Sequence, residues 1–303
     1  MILSTENGAL RSLVGERRAI EILAKAGFDA IDYTFTPWME RGEMPWNRDG
    51  YQDYAKEVVQ MAKDNGVYFN QAHAPFIFHT SYLPDWNREI LPMQIRCMEA
   101  CALLGIPHMV VHPVHHLPYH HRGAPGKSNA DIIWDLNREY YHLLQPYAKQ
   151  FGVKMCLENM FGEDPRRGCL VPDMFSDPHE YAQFFDELND PDNFTCCIDT
   201  GHAGITGEDC GDTIRVMGSR VRALHLNDND FRTDGHLIPF QGKIDWDDVM
   251  RALAEIDYQG DFTFEALHLY EGMDDGFYAT SAKYLHDVGR YLIQKFQHYK
   301  EAL

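Results

Sequence analysis

One pattern of hydrophobic and polar positions recurs along the chain: a short β-branched or aromatic run, a polar loop, then an amphipathic stretch of helical period. Strand-like runs fall at 1–4, 28–34, 67–73, 107–112, 153–158, 194–199, 221–226 and 261–266. Helical stretches lie between or after them at 16–26, 51–65, 87–104, 129–150, 178–189, 209–217, 246–256 and 277–299. Asp177 followed by Pro178 is a helix start, and "DWDDVMRALAEI" opens another helix with acids. Gly27, Gly66, Gly105 and Gly152 each stand where a helix must stop before a strand. Strands alternating with helices predict an all-parallel α/β protein. Spread over eight units, 303 residues give about 38 per unit, which suits a (β/α)8 TIM barrel formed as a single domain over 1–303. An open doubly wound sheet would carry a Gly-rich phosphate turn after its first strand, and "STENGALRS" is not such a turn.

Six consecutive strand-like runs end in, or close to, a side chain able to bind a cation or move a proton: His73, His112, Glu158, Asp199, His225 and Glu265. In a barrel the strand C-termini form a ring at one face, so these groups would converge. Glu265 shows why convergence matters, because it interrupts the apolar run "FTFEA". A buried carboxylate costs several kcal/mol unless it is paired or bound to a metal. A lone histidine at a strand end is commonly structural, but four successive strands ending in Glu158, Asp199, His225 and Glu265 predict one shared metal site. Three carboxylates and one imidazole suit Mn²⁺ first, then Mg²⁺ or Co²⁺, with Zn²⁺ possible but better matched to thiolate-rich structural sites.

Composition narrows the function. The formal net charge is −19, from 27 basic and 46 acidic side chains, which disfavours a nucleic-acid partner. No run approaches the roughly 18 apolar residues of a membrane span. The opening "MILSTENGAL" has no basic n-region and does not read as a signal peptide. Seven cysteines, without a CxxC pair, read as free thiols in a reducing cytoplasm. The expected partner is a small molecule, with homo-oligomerisation left open.

The ordered segments "HAPF" (73–76), "LGIPHMVVHP" (104–113), "CLENMFG" (156–162), "CIDTGHA" (197–203), "ALHLND" (223–228), "DGHLIPFQGKIDW" (234–246) and "YQGDFTFEA" (258–266) resemble the xylose isomerase-like barrels. That group includes sugar-phosphate isomerases, ketose 3-epimerases, hydroxypyruvate isomerases and inosose dehydratases. The resemblance implies a divalent metal on Glu158, Asp199, His225 and Glu265, with Glu158 and Glu265 as the acid/base pair. It implies isomerisation or epimerisation of a keto sugar, or of its phosphate or another derivative, by proton transfer through an enediolate. A metal-dependent lyase is the alternative, of the inosose dehydratase or C-glycoside-cleaving type.

The same superfamily contains DNA-repair endonucleases with three zincs and nine ligands. His73, His112, Glu158, Asp199, His202, His225, Asp234, His236 and Glu265 could fill all nine positions. The acidic charge, together with "CIDTGHAGITG", "ENMFGEDPRRG" and "LIPFQGKIDW", favours the sugar branch. There His73, His112, His202, Arg232 and His236 are candidate substrate-binding residues. Arg166 and Arg167 are further candidates for an anionic substrate group. His115, His116, His120 and His121 could line the pocket, bind adventitious metal or sit in solvent, and the last is the expectation. Tyr33, Trp38 and Trp46 could form an apolar wall of the site, the core, or a subunit contact.

Overall fold

The eight expected strands form one parallel sheet rolled into a barrel. They are β1 (Leu3–Glu6), β2 (Ala30–Thr34), β3 (Tyr68–His73), β4 (His108–Val110), β5 (Lys154–Glu158), β8 (Phe194–Asp199), β9 (Val221–His225) and β10 (Phe262–Phe264). The sheet runs β10-β1-β2-β3-β4-β5-β8-β9. It closes where Leu226 N–H donates to Thr263 O at 2.8 Å and Glu265 N–H donates to Leu226 O at 3.2 Å. The computed structural model describes residues 1–35, 45–75, 86–115, 126–164 and 166–303, apart from the side chains of 86–90. Trp38, Phe76, His116, His120 and His121 lie outside the described residues. No described helix is long and apolar enough to cross a membrane.

Helices cover the outside: α2 (Glu16–Ala26), α3 (Tyr51–Asp64), α4 (Trp86–Leu104), α5 (Asn129–Phe151), α6 (Pro178–Leu188), α8 (Cys210–Met217), α9 (Trp246–Glu255) and α10 (Asp275–Ala302). Their ends follow local chemistry. The Asp177 carboxylate accepts His179 N–H at 2.8 Å at the start of α6, and Asp245 accepts Asp247 and Asp248 N–H at 3.0 and 3.1 Å at the start of α9. Gly27 and Gly152 end α2 and α5 at φ 105° and 67°, a region that costs glycine nothing.

Several elements among the described residues lie beyond the expected set. The short helix α1 (Gly8–Val14) follows β1, and α7 (Thr200–Thr206) follows β8. An antiparallel hairpin, β6 (Phe161–Asp164) and β7 (Cys169–Pro172), occupies a stretch that reads as loop. The sequence of α7, "TGHAGIT", has weak helix propensity, but Asp199 caps it and most of it is buried.

Register sets the interior. Asp199 pairs with His225 across β8 and β9, and two residues earlier Cys197 pairs with Ala223. Val110, Cys156, Cys197 and Ala223 form a separate small buried cluster. On β5, β8 and β9 each member stands two residues before Glu158, Asp199 or His225, and side chains two apart share a face. The polar groups therefore form a layer at the C-terminal rim, directly above a layer of small apolar side chains. Tyr33 and Trp46 belong to the core: Trp46 Nε1–H donates to the Tyr33 hydroxyl at 3.0 Å, and that hydroxyl donates to Glu16 Oε2 at 2.8 Å.

Candidate active site

The six strand-end residues meet at this rim, although β4 stops at Val110, two residues before His112. One ligand atom from each of Glu158, Asp199, His225 and Glu265 lies within 4.8 Å of the others, and all four residues are buried. His225 Nδ1 is 2.6 Å from Glu158 Oε1 and 3.4 Å from Glu265 Oε2. His73, His112 and Glu158 lie equally close to one another, as do His202, Asp234 and His236.

Local bonds fix these side chains in advance. The Asn159 amide pairs with the β8 terminus, its Oδ1 accepting Asp199 N–H at 2.8 Å and its Nδ2 donating to Asp199 O at 2.9 Å. The Asp199 carboxylate accepts His202 N–H at 2.7 Å through Oδ1 and Asn227 Nδ2–H at 2.8 Å through Oδ2. Farther along, the fully buried Asp228 accepts four donors: the N–H groups of Asn229, Phe240 and Ile244, and Trp246 Nε1–H, at 2.9–3.1 Å. It thereby folds the segment carrying Asp234 and His236 back over the rim.

Three histidines donate Nδ1–H to a backbone carbonyl: His73 to Ala74 at 2.7 Å, His202 to Asn159 at 2.9 Å and His236 to Glu265 at 2.9 Å. Each bond leaves Nε2 directed at the acids, the usual way a protein orients imidazoles toward a metal or substrate. His73 Nε2 is 3.5 Å and His112 Nε2 is 2.9 Å from Glu158 Oε2. His202 and His236 approach Asp234 at 3.8 and 3.1 Å.

The electrostatics are those of a crowded acid–imidazole cluster. Burial raises the Glu158 pKa, but the His225 and His112 imidazoles outweigh it and hold the group well below the ordinary carboxylate value. Burial, reinforced by Glu265 and Glu158 and opposed by His202, pushes Asp199 up to about 6. Burial opposes the charge on His236, yet Asp234 and Glu265 bring it up to about 10. Burial takes His112 down to about 4, against the pull of Glu158. Three carboxylates and an imidazole so close together fit a hard divalent cation, whose charge would relieve their mutual repulsion.

Two acids of the site escape the strand-end pattern. Asp32 on β2 is fully buried, with Oδ2 3.4 Å from His225 Nε2 and 2.9 Å from Gln71 Nε2. Glu6 ends β1, and burial together with Glu265 and Asp32 lifts it to about 7 against the Ala9 N–H that it accepts. Glu6 is a true strand end, whereas Asp32 sits in mid-strand, two residues before the end of β2.

The arginines behave differently. Arg232 is exposed on a turn where its backbone N–H donates to Asp230 Oδ1 at 2.9 Å. Arg167 pairs with Asp164 on the β6–β7 hairpin. Solvent exposure fails for His115, which is buried with its ring centroid 6.0 Å from that of His112. The cause is Asn137 on α5, which accepts Val114 N–H at 2.6 Å and donates to Val114 O at 2.7 Å, pinning the chain inward.

A parallel barrel that brings acids and imidazoles to the C-terminal ends of its strands is an enzyme fold with an acid–base site. A family model described as xylose isomerase-like TIM barrel matches residues 20–285, and the chain belongs to that family. D-psicose 3-epimerase of Ruminiclostridium cellulolyticum is 22% identical over 299 residues, covering 92% of each chain. A probable endonuclease 4 of Methanoculleus marisnigri is 28% identical over 173 residues, 51% of this chain and 55% of that protein. The solved D-psicose 3-epimerase of Clostridium cellulolyticum H10 superposes with a TM-score of 0.71 over 96% of this chain and 99% of that one, at 19% identity. The chain is an enzyme, as these relatives are.

Proposed function

We propose that the chain is a divalent-metal-dependent epimerase or isomerase of a keto sugar or keto-sugar derivative. The observation that carries the reading is the convergence of Glu158, Asp199, His225 and Glu265 within 4.8 Å in a buried rim. The epimerase relative spans nine-tenths of both chains, whereas endonuclease relatives span about half to two-thirds. The net charge of −19 also opposes a DNA-binding face.

A cation on these four side chains, Mn²⁺ being the preferred ion, would supply the positive charge that acidifies a C–H bond beside a carbonyl. Glu158 and Glu265 reach the rim from different strands, and both approach His225 Nδ1. One carboxylate takes the proton; the C–H electrons move toward the carbonyl oxygen, giving an enediolate of the sugar. The other carboxylate returns a proton to the opposite face, which is epimerisation, or a proton reaches the neighbouring carbon, which is isomerisation. His73, His112, His202 and His236 are placed to hold substrate hydroxyls through their directed Nε2 atoms. Arg232, exposed at the rim, would reach only the outer end of a substrate. Loss of a leaving group from the same enediolate would be the lyase variant.

One observation favours a second reading. The residues that would serve a trinuclear zinc endonuclease fall into three mutually close groups. Metal content separates the two readings. The purified chain is expected to hold one divalent ion and, with Mn²⁺ in deuterated water, to exchange a C–H proton in at least one member of a keto-sugar panel. Three zincs per chain with cleavage of abasic DNA, and no exchange, would replace the sugar reading.

A further inference from the structure

A cavity of about 450 Å³ adjoins the acid–base cluster on the side where the chain passes from β10 into α10. That volume lies within the usual range of small-ligand pockets, roughly 300–1,000 Å³. His236 forms the partition. Its Nδ1–H is held by Glu265 O at 2.9 Å, and its ring lies 6.2 Å from that of His202 on the site side and 5.9 Å from that of His268 on the cavity side. The cavity thus begins one imidazole away from Glu265.

The walls differ in chemistry from the acidic rim. Leu237, Leu269 and Met273 line the cavity, and the rings of Phe277 and Tyr284 stand at its edge. Those two rings are 51% and 50% exposed, and both stand beside the same cavity. The Ser281 hydroxyl is already committed to Phe277 O at 3.2 Å. His268, Gln241 and Thr280 are the exposed polar side chains that also line it, and the His268 imidazole is already paired with Glu271 Oε1 at 2.6 Å. A free sugar carries a hydroxyl on nearly every carbon, and moving these hydroxyls against such walls would strip them of water without replacing the hydrogen bonds. A flat apolar group matches both the walls and the two rings.

We infer that the substrate is a keto sugar carrying a flat apolar substituent, an aryl glycoside in the simplest form, with the sugar at the acid cluster and the substituent beyond His236 in this cavity. This deepens the proposed function and rests on it. Specificity would then come from Leu237, Leu269, Met273, Phe277 and Tyr284, and the acid–base pair would be indifferent to the substituent.

The test compares phenyl and methyl 3-keto-β-D-glucoside, with D-fructose as a free ketose, by solvent-deuterium exchange and by titration calorimetry on the metal-loaded chain. Burying one aromatic ring is worth about tenfold or more in affinity. The phenyl compound should therefore exceed the methyl compound at least tenfold in kcat/KM, mainly through KM. Thr280→Trp, an exposed position whose new ring would fill the cavity, should erase that advantage and leave the methyl compound unchanged. Phe277→Ala should reduce the advantage in part. Equal kcat/KM for phenyl and methyl, faster turnover of D-fructose, or an advantage that survives both substitutions would overturn the inference while leaving the acid–base reading intact. If neither glycoside exchanges, calorimetry decides: phenyl binding abolished by Thr280→Trp upholds the cavity and removes the acid–base reading, and phenyl binding that is absent or unaffected removes the cavity.

Discussion

Asp32 Oδ2 faces Nε2 of His225 at 3.4 Å, on the edge of the ring opposite the one that meets Glu158. With Nδ1 turned to the candidate metal position, Nε2 is left to carry the proton toward Asp32. Carboxylate–imidazole–metal relays of this kind fix both the ring and its tautomer. Gln71 Nε2 in turn holds the Asp32 carboxylate at 2.9 Å.

Asp32→Asn keeps the shape and removes the charge. Loss of such a supporting partner usually costs about 10–100-fold in metal affinity. The variant should fold, show that loss in a competition titration against a chelator, and retain its metal stoichiometry at saturation. An unchanged dissociation constant would show that Asp32 has no part in holding His225.

Glu158→Gln and Glu265→Gln should each lower turnover by about 10²–10⁴-fold at saturating Mn²⁺, the usual contribution of a general acid or base. Solvent-deuterium exchange separates the two roles. One variant should still exchange the substrate proton without completing inversion, and the other should do neither. Wild-type turnover and exchange in both fully metallated variants would require a different base, with His202 the first to examine.

Gly201 follows Asp199 by two residues, and a Cβ placed there would stand 1.9 Å from Asn227 Oδ1. The Asn227 amide cannot move freely, because its Nδ2 orients Asp199 Oδ2 at 2.8 Å. Gly201→Ala should destabilise the fold by about 1–3 kcal/mol, the usual cost of overpacking. It should also weaken metal binding, whereas a change confined to stability would mean that Asp199 keeps its orientation without Asn227. Denaturant unfolding and metal titration on one preparation check both parts.

Outside the site, Arg215 on α8 grips Asp248 on α9 with two bonds, at 2.9 and 2.7 Å, and donates Nε–H to Glu255 at 2.6 Å. The Arg215 bonds hold the Asp248 pKa below its ordinary value. Because the folded-state value is the lower one, the stabilisation is complete above the unfolded carboxylate pKa and disappears as pH falls through the folded value. Arg215→Ala should cost about 1–2 kcal/mol near neutrality, allowing for partial exposure. The gap from wild type should close as the pH drops below about 4. A gap constant from pH 7 to pH 2 would assign the loss to packing instead.

The alternation of strand and helix was legible because each unit carries its own period and stop signals; α2 occupies the span 16–26 read from the sequence. Glu158, Asp199, His225 and Glu265 were legible for a related reason, since one such side chain at a strand end has a benign explanation but four successive strands ending this way do not. Glu6 was hidden by a two-residue displacement: the first strand reads as 1–4 but pairs as Leu3–Glu6. Asp32 was hidden by strand character, because nothing local shows that its partner is His225, 193 positions away. The helix α7 owes its form to burial and to its cap at Asp199, which propensity does not register, and the β6–β7 hairpin pairs a stretch that reads as loop. His115 shows the same limit, for its burial is decided by Asn137 on another element.

The double anchoring of Asp199, by His202 N–H on one oxygen and Asn227 on the other, has an entropic meaning. A free carboxylate must lose rotamer freedom when it captures an ion, and that loss weakens binding. Here the rotamer is already chosen when the chain folds, so the ordering cost falls on folding. An ion arriving at this side chain would meet a ligand with little freedom left to lose, and the affinity of the rim would depend on an amide and a helix cap that need never touch the metal.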